Sequence, residues 1–255
     1  MANENTFRSG GRPPSRVGEP PPYLALPPRD WHDVEGWEHF WEAQIAGLTR
    51  SWFTLNACFV SREVLEEMLR AGRTRILFAG NGISLEPYAF AHAGFDATAL
   101  DVSRTAADYM ADAHIDARVL ARLFAERDII KREGYFEGVH NEAKSLATVR
   151  RLRRPGGVLR SVNADLFRHE PQAQHDVIAS IRAFQGFEAC DRDELARRFF
   201  DWLSPGGLCV VETINVGAQR SLQRTFVDAG FAVERRVTLG SKTGRKTVVF
   251  VHGSG

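Results

Sequence analysis

Cysteine is scarce in this 255-residue chain, which has three, Cys58, Cys190 and Cys209, and none of them forms a C-x-x-C pair. So few scattered cysteines exclude a disulfide-stabilised scaffold and favour a reducing compartment. No apolar run reaches the ~18 residues of a membrane span, and the opening MANENTFRSG lacks the apolar core of a secretory signal. We therefore expect a cytoplasmic protein with no membrane partner.

A dominant charge is also missing, because 33 basic and 32 acidic residues leave a formal net charge of +1. Such a balance gives no overall attraction to nucleic acid or to an anionic surface. Basic residues do cluster in TVRRLRRPGGVLRS, residues 148–161, which we interpret as a solvated loop or helix face. We therefore expect no nucleic-acid partner.

Proline is rare beyond the first 29 residues, which hold seven of the eleven prolines. This composition buries too little apolar surface to offset the entropy of the chain, and it predicts a disordered Pro-rich tail over residues 1–29. A proline-rich ligand for a partner domain is the alternative interpretation.

Residues 30–72 are rich in aromatic side chains, and DWHDVEGWEHFWEAQ opens this segment. Trp37, Phe40 and Trp41 lie at helical spacing and share one face. The segment is predicted to be an N-terminal helical cap, with a helix ending near Gly72. Its aromatic stripe either packs against the main domain or covers a ligand, and the two roles are compatible.

From residue 74 onward, apolar runs of strand length alternate with segments of helical periodicity. This alternation predicts an α/β fold, a doubly wound and mostly parallel sheet with helices on both faces. The predicted strands are 75–79, 96–100, 159–163, 175–180, 207–213, 231–238 and 246–252, and DELARRFFDWL (193–203) is a predicted helix.

A glycine turn follows the first of these strands in RILFAGNG, and Asp101 ends the next strand. Gly80 and Gly82 permit positive φ and a close approach of a ligand to the backbone. A carboxylate about twenty residues on can accept hydrogen bonds from both hydroxyls of a ribose. The pair predicts a nucleoside-bearing ligand, while Leu85, in place of a third glycine, weakens the dinucleotide interpretation.

Five motifs then occur in a fixed order: AGNG with Asp101, NAD, HDVI, LSPGG and AGF. In this ordered set the chain resembles the class I S-adenosylmethionine-dependent methyltransferases, over residues 74–252. The resemblance implies a Rossmann-like domain at 73–255 with seven strands in the order 3-2-1-4-5-7-6, the last strand antiparallel. It also implies S-adenosyl-L-methionine as the cofactor.

The resemblance assigns cofactor contacts to particular positions. Gly80 and Gly82, with Asn81 between them, would lie against the methionine part, and Asp101, followed by Val102, would hold the ribose. Near the adenine it implies Asp165 with its neighbour Leu166, and at the end of the fourth strand Ala179.

The sequence departs from the family pattern at two positions of the first motif and in length. Phe78 stands where the family has an acid that helps to anchor the cofactor amino group, and Ser84 stands where it has a third glycine. Asn81, Ser84 or an N-terminal residue could supply the lost contact. An insertion at about 115–157 is interpreted either as a lid or as a dimerisation element, so a homodimer is left open.

Methyl transfer needs a base only where the attacking atom carries a proton at working pH. The candidates are weak ones: His32, His39, His140 and Glu212. His175 and His252 are interpreted as structural. A metal site is not predicted, since no cluster of Asp and Asn ligands can be assembled.

The family's Asn/Asp-Pro-Pro-aromatic motif of nucleic-acid methyltransferases is absent after the fourth strand. This leaves small molecules, lipids or protein side chains as acceptors. A small molecule with an O, N or S nucleophile is favoured, because the N-terminal aromatic residues could form an apolar pocket wall. Two other functions are kept as alternatives. One is a non-catalytic methyltransferase-like module that binds a partner protein, and the other is a nicotinamide-dependent oxidoreductase.

Overall fold

The computed structural model describes residues 27–46, 68, 70–84, 86–92, 94–112, 156–181, 183–213, 216–238 and 246–251. The predicted tail lies outside these residues except for 27–29. Also outside them lie nearly all of the 115–157 insertion, Cys58, His140 and His252.

The described strands form one sheet in the order β3-β2-β1-β4-β5-β7-β6. Their bounds are β1 Arg75–Ala79, β2 Asp96–Asp101, β3 Val158–Asn163, β4 His175–Ile181, β5 Leu203–Thr213, β6 Ala232–Thr238 and β7 Lys246–Val251. The first five strands pair in parallel, and β7 runs antiparallel to both β5 and β6. The predicted α/β class with a parallel sheet is confirmed.

Five described helices accompany the sheet: α1 Val34–Ala46, α2 Glu86–His92, α3 Arg104–Asp112, α4 Ala189–Trp202 and α5 Val216–Asp228, with a 3-10 turn at Phe184–Gly186. Helices α2 and α3 contact β2 and β3, while α4 and α5 contact the β5 half of the sheet. In the described part of the chain, no helix is long and apolar enough to cross a membrane.

Both faces of the sheet are buried at β1, as its adjacent residues show. Leu77 belongs to a core cluster with Phe199 of α4 and Leu222 of α5. Its neighbour Phe78 packs edge-on against Phe90 of α2, with ring centroids 5.4 Å apart. Because successive side chains of a strand point to opposite faces, helices cover the sheet on both sides.

The start of β5 differs from the prediction, which placed a helix through residue 203 and a strand from residue 207. Helix α4 ends at Trp202 and β5 begins at once with Leu203. Leu203 pairs with His175 and Leu208 pairs with Val177, so the intervening S-P-G-G residues form a bulge in the strand. A proline, which cannot donate a ladder hydrogen bond, and two glycines suit a bulge better than regular pairing.

Asp176 fixes the amino end of β1 from the neighbouring strand. Its carboxylate accepts the N–H groups of Thr74 at 3.0 Å and Arg75 at 2.9 Å, and the hydroxyl of Ser204 at 3.1 Å. Burial alone would raise the pKa of Asp176, but these donors and the Arg75 guanidinium outweigh it and the pKa is lowered. Asp176 of the HDVI motif is therefore a structural anchor, at the end of the sheet opposite the glycine turn.

Candidate nucleoside site

The glycine turn lies where strand order reverses, because β1 has β2 on one side and β4 on the other. Gly80 and Gly82 both have positive φ, +68° and +54°, which side chains other than glycine rarely adopt. The N–H groups of Gly80 and Asn81 donate to the carbonyl of Leu100 at 2.9 and 3.1 Å. The turn is thereby folded over the end of β2, in the crevice where open α/β sheets bind ligands.

Asp101 is the residue that ties this turn to β2. Its carboxylate accepts the N–H of Gly82 at 2.7 Å on one oxygen and the N–H of Ser103 at 2.9 Å on the other. The side chain is buried, with 8% exposure. Burial raises the pKa of Asp101 to about 6, the N–H donors of Ser103 and Gly82 oppose the rise, and the nearby charge of Glu38 adds to it.

The loop after β3 closes the same site from the other side of β2. The amide of Asn163 donates to the carbonyls of Val102 at 2.8 Å and Asp101 at 3.2 Å, and the N–H of Ala164 donates to Asp101 at 3.0 Å. The NAD motif therefore lies directly beside the end of β2.

Asp165 and Leu166, the predicted adenine neighbours, follow this loop. Asp165 accepts the N–H of Phe167 at 2.9 Å, which fixes a tight turn. Leu166 is buried in the core cluster that contains Leu100 and Phe187. The structure thus places Asp165 at the start of the turn that follows β3, and it buries Leu166 in the core.

Ala179, the remaining predicted contact, is buried in β4 and pairs with Phe78 of β1. Ser180 follows it with 1% exposure, and its hydroxyl has no hydrogen-bond partner in the described part of the chain. Phe78 lies in the core against Phe90, so this residue offers no polar group to a ligand. The side-chain amide of Asn81 donates to the carbonyls of Gly82 and Ser84, both at 3.1 Å, and stabilises the turn itself.

The N-terminal segment 31–41 lies across this edge of the sheet. Trp31 contacts Gly186 so closely that a Cβ built on that glycine would lie 1.7 Å from its ring. At the other end Trp41 contacts Gly82, where a built Cβ would lie 2.3 Å from ring atom Cζ2. The segment therefore spans from the loop after β4 to the glycine turn after β1.

Glu38 attaches α1 to the amino end of α3. Its carboxylate accepts the hydroxyl of Ser103 and the N–H of Thr105, both at 3.0 Å, and also the N–H of Arg104. Burial would raise the pKa of Glu38, but the N–H donors of Thr105 and Arg104 outweigh it and the pKa is lowered. A carboxylate there satisfies free N–H groups and suits the positive end of the helix dipole.

His32 is the candidate base that the structure places against the loops after β3 and β4. Its Nε2 lies 2.9 Å from Asp191 of α4, and its ring packs near Phe167 and Phe187, with centroids 5.1 and 5.8 Å away. The hydrogen bond with Asp191 raises the pKa of His32, and burial opposes the rise without cancelling it.

The positions of the other described candidate bases, His39 and Glu212, do not indicate a catalytic role. His39 is exposed on α1. Glu212 lies in β5, where it pairs with Ile181 and Thr247. Among the described residues, no three His, Cys, Asp or Glu side chains are grouped as a metal site would require.

Sequence reasoning missed the roles of Glu38 and Trp41. The aromatic stripe of α1 was visible in the sequence, and it suggested a wall or a cover. Nothing in the sequence indicated that Glu38 would cap α3, since its partner Ser103 is 65 residues away.

No protein-family model and no curated protein sequence matches the chain. Solved structures do match. Magnesium protoporphyrin IX methyltransferase (ChlM) from Synechocystis PCC 6803, with bound SAM, is 12% identical over 75% of this chain and 77% of its own, with a TM-score of 0.50. The N-methyltransferase NodS from Bradyrhizobium japonicum WM9, in complex with S-adenosyl-L-homocysteine, is 13% identical over 86% of this chain and 99% of its own, with a TM-score of 0.51.

At 12% and 13% sequence identity, the likeness to these two structures shows the fold alone. The chain has the fold of the class I SAM-dependent methyltransferases, as the order of motifs in its sequence led us to expect.

Proposed function

We propose that the protein is an S-adenosylmethionine-dependent methyltransferase that acts on a small-molecule acceptor through an O, N or S nucleophile. The observation that carries this proposal is the hydrogen bond from Gly82 to Asp101. It joins a glycine turn and a buried carboxylate at the reversal of strand order in a sheet of methyltransferase type. The proposal takes the order 3-2-1-4-5-7-6 and the N-terminal helical extension as parts of one class I fold.

The residues at the base of the crevice fit an adenosine. A carboxylate can accept about four hydrogen bonds, and the described residues give Asp101 backbone donors on both of its oxygens. The N–H of Val102 is a third backbone donor, so an acceptor position remains for a ribose hydroxyl. Above the turn, Trp41 lies on Gly82, and its ring has to shift before a ligand can touch that glycine.

S-adenosylmethionine, when bound, supplies an electrophilic methyl group on a sulfonium. The chain's own contribution is then to hold the adenosine at Asp101, to position the acceptor and to exclude water with the rings that lie outside α1, Trp31 and Phe187. Placing two reactants in line supplies much of the rate gain in such a reaction. For an acceptor that must lose a proton, we propose His32 as the base, with Asp191 orienting its ring.

The acceptor is proposed to be small because the covered edge is lined by rings outside α1, namely Trp31, Phe167 and Phe187. Apolar walls with a few polar groups are typical of small-molecule sites. ChlM and NodS are methyltransferases, and their relation to this chain supports the reaction class without indicating the acceptor.

Calorimetry with S-adenosylmethionine and S-adenosylhomocysteine tests this proposal. Wild type is expected to bind both, and Asp101→Ala is expected to weaken binding about tenfold or more, since the lost hydrogen bonds involve a charged acceptor. Asp96→Ala is the matched control, because Asp96 begins the strand that Asp101 ends and is expected to leave binding unchanged. The proposal would be refuted if neither wild type nor Trp41→Ala bound either ligand at millimolar concentration.

A non-catalytic methyltransferase-like module is the second candidate. The contact of Trp41 with Gly82 favours it, because this contact covers the glycine turn with the chain's own side chain. Under this function neither ligand binds any variant. Mass spectrometry of the purified protein then finds no co-purified S-adenosylmethionine or S-adenosylhomocysteine.

A further inference from the structure

The indole of Trp41 occupies the space directly above Gly82. A Cβ built on Gly82 would lie 2.3 Å from Cζ2 and 2.5 Å from Cη2 of this ring. Carbon atoms in contact normally lie about 3.5–4 Å apart, so the ring touches the glycine backbone with no room for a third group between them. The close approach that a glycine turn permits is used here by a side chain of the same protein.

Neighbouring rings of α1 orient Trp41, and Glu38 ties the helix to α3. Trp37 stacks on Trp41 with ring centroids 6.1 Å apart, and Phe40 meets it edge-on at 4.7 Å. Phe40 is itself buried, with 4% exposure. One turn earlier, the carboxylate of Glu38 is bound to the amino end of α3.

The same position has two unfavourable features. The indole N–H of Trp41 is buried and has no hydrogen-bond partner in the described structure, and a buried donor without an acceptor is destabilising. In addition, Ser103 binds the carboxylates of both Glu38 and Asp101, so two groups of the same charge lie close together. Withdrawal of α1 relieves both features, since the indole N–H and Glu38 then reach water.

We propose that Trp41 is an intramolecular plug of the cofactor site, and that α1 must withdraw from Gly82 before an adenosine ligand can enter. This inference rests on the proposed function, because it concerns the same crevice. The plug and the ligand then compete. The measured affinity is the intrinsic affinity reduced by the fraction of molecules in which the crevice is open.

Removal of the plug is expected to tighten binding. Calorimetry with S-adenosylhomocysteine compares wild type with Trp41→Ala, and the variant is expected to bind about tenfold or more tightly, because the competing side chain is gone. Glu42→Ala is the matched control. Glu42 is exposed on the same helix, one residue beyond Trp41, and its removal is expected to leave the affinity unchanged.

Hydrogen–deuterium exchange provides a second test, which needs only the wild-type protein. If Trp41 is a plug, adding S-adenosylhomocysteine increases exchange in the peptide that covers α1, because the helix leaves its site. If Trp41 is instead a wall of the bound state, the ligand decreases exchange there and Trp41→Ala binds more weakly.

The outcomes separate the two proposals. Tighter binding by Trp41→Ala together with increased exchange in α1 supports the plug. Unchanged or weaker binding by a folded Trp41→Ala variant overturns the plug and leaves the proposed function standing. Absence of binding by wild type and by Trp41→Ala, each at millimolar ligand, overturns both.

Discussion

The backbone N–H of Gly82 donates to the carboxylate of Asp101 across 2.7 Å. This bond joins the turn after β1 to the end of β2. It also places a charged group in a buried position, where burial raises the pKa of Asp101 to about 6.

The raised pKa of Asp101 predicts a contribution to stability that depends on pH. The folded protein binds a proton more readily here than the unfolded chain, whose ordinary pKa is 3.8. The contribution is therefore fully present below pH 3.8 and is lost as the pH rises to about 6. It amounts to about 3 kcal/mol.

Urea unfolding of wild type and Asp101→Ala at several pH values measures this contribution. The stability of the variant relative to wild type is expected to rise between pH 4 and 6, and Asp96→Ala should show no such rise. Parallel pH profiles for Asp101→Ala and wild type would contradict the prediction.

His175 is expected to act in the opposite direction. Burial, with the nearby charge of Arg75, lowers the pKa of His175 from 6.5 to about 4. The unfolded chain then binds the extra proton, so the free energy of unfolding falls as the pH drops from 6.5 toward 4. In His175→Gln this fall should be smaller, whereas His39→Gln, at an exposed position, should behave like wild type. An undiminished fall in His175→Gln would assign the acid sensitivity to other groups.

Gly82→Ala is expected to cost more stability than Gly206→Ala. Both glycines have positive φ, +54° and +71°, and a Cβ at Gly206 would meet nothing within 4 Å. Gly206→Ala therefore carries the backbone strain alone, about 1–2 kcal/mol. Gly82→Ala adds the clash with Trp41.

The excess cost of Gly82→Ala should disappear in a Trp41→Ala background. Denaturant unfolding of the two single variants and the double variant measures this coupling. Equal costs for Gly82→Ala in the two backgrounds would show that the ring is not in contact with the turn.

Glu38→Gln is expected to destabilise the protein by about 1 kcal/mol, because the amino end of α3 loses its charged acceptor. Glu42→Gln changes the same residue type on the same helix at an exposed position. This control is expected to stay within about 0.5 kcal/mol of wild type. Thermal unfolding at low and high salt measures both variants, and equal shifts for the two would show that the Glu38 contacts contribute nothing.

The secondary structure was largely predictable because its signals are local. Strand β1 has the predicted bounds, and β2, β3 and β4 differ from theirs by one residue at one end. An error occurred at β5, where Pro205 and two glycines suggested a turn outside the strand. Its neighbour β4 continues the pairing on both sides of these residues, and a single sequence does not show such a partner.

The candidate site, like the strands, was predictable only in part. Gly80, Gly82 and Asp101 were identified because a backbone turn and the end of a strand have recognisable residue types. The structure joins them by backbone hydrogen bonds. His32 was one of several equivalent histidines until the structure placed it beside Asp191, 159 residues further along the chain.

The sequence by itself determined where strands β1 to β4 lie, that Gly80 and Gly82 form a left-handed turn, and which carboxylate ends β2, since these depend on neighbouring residues. Only the tertiary structure decided that Glu38 caps α3 and that Trp41 covers Gly82. Both contacts join segments far apart in the chain, so they depend on how α1 packs against the edge of the sheet. The periodicity of α1 shows that it has an aromatic face, but the shape and charge of the sheet edge determine what that face covers.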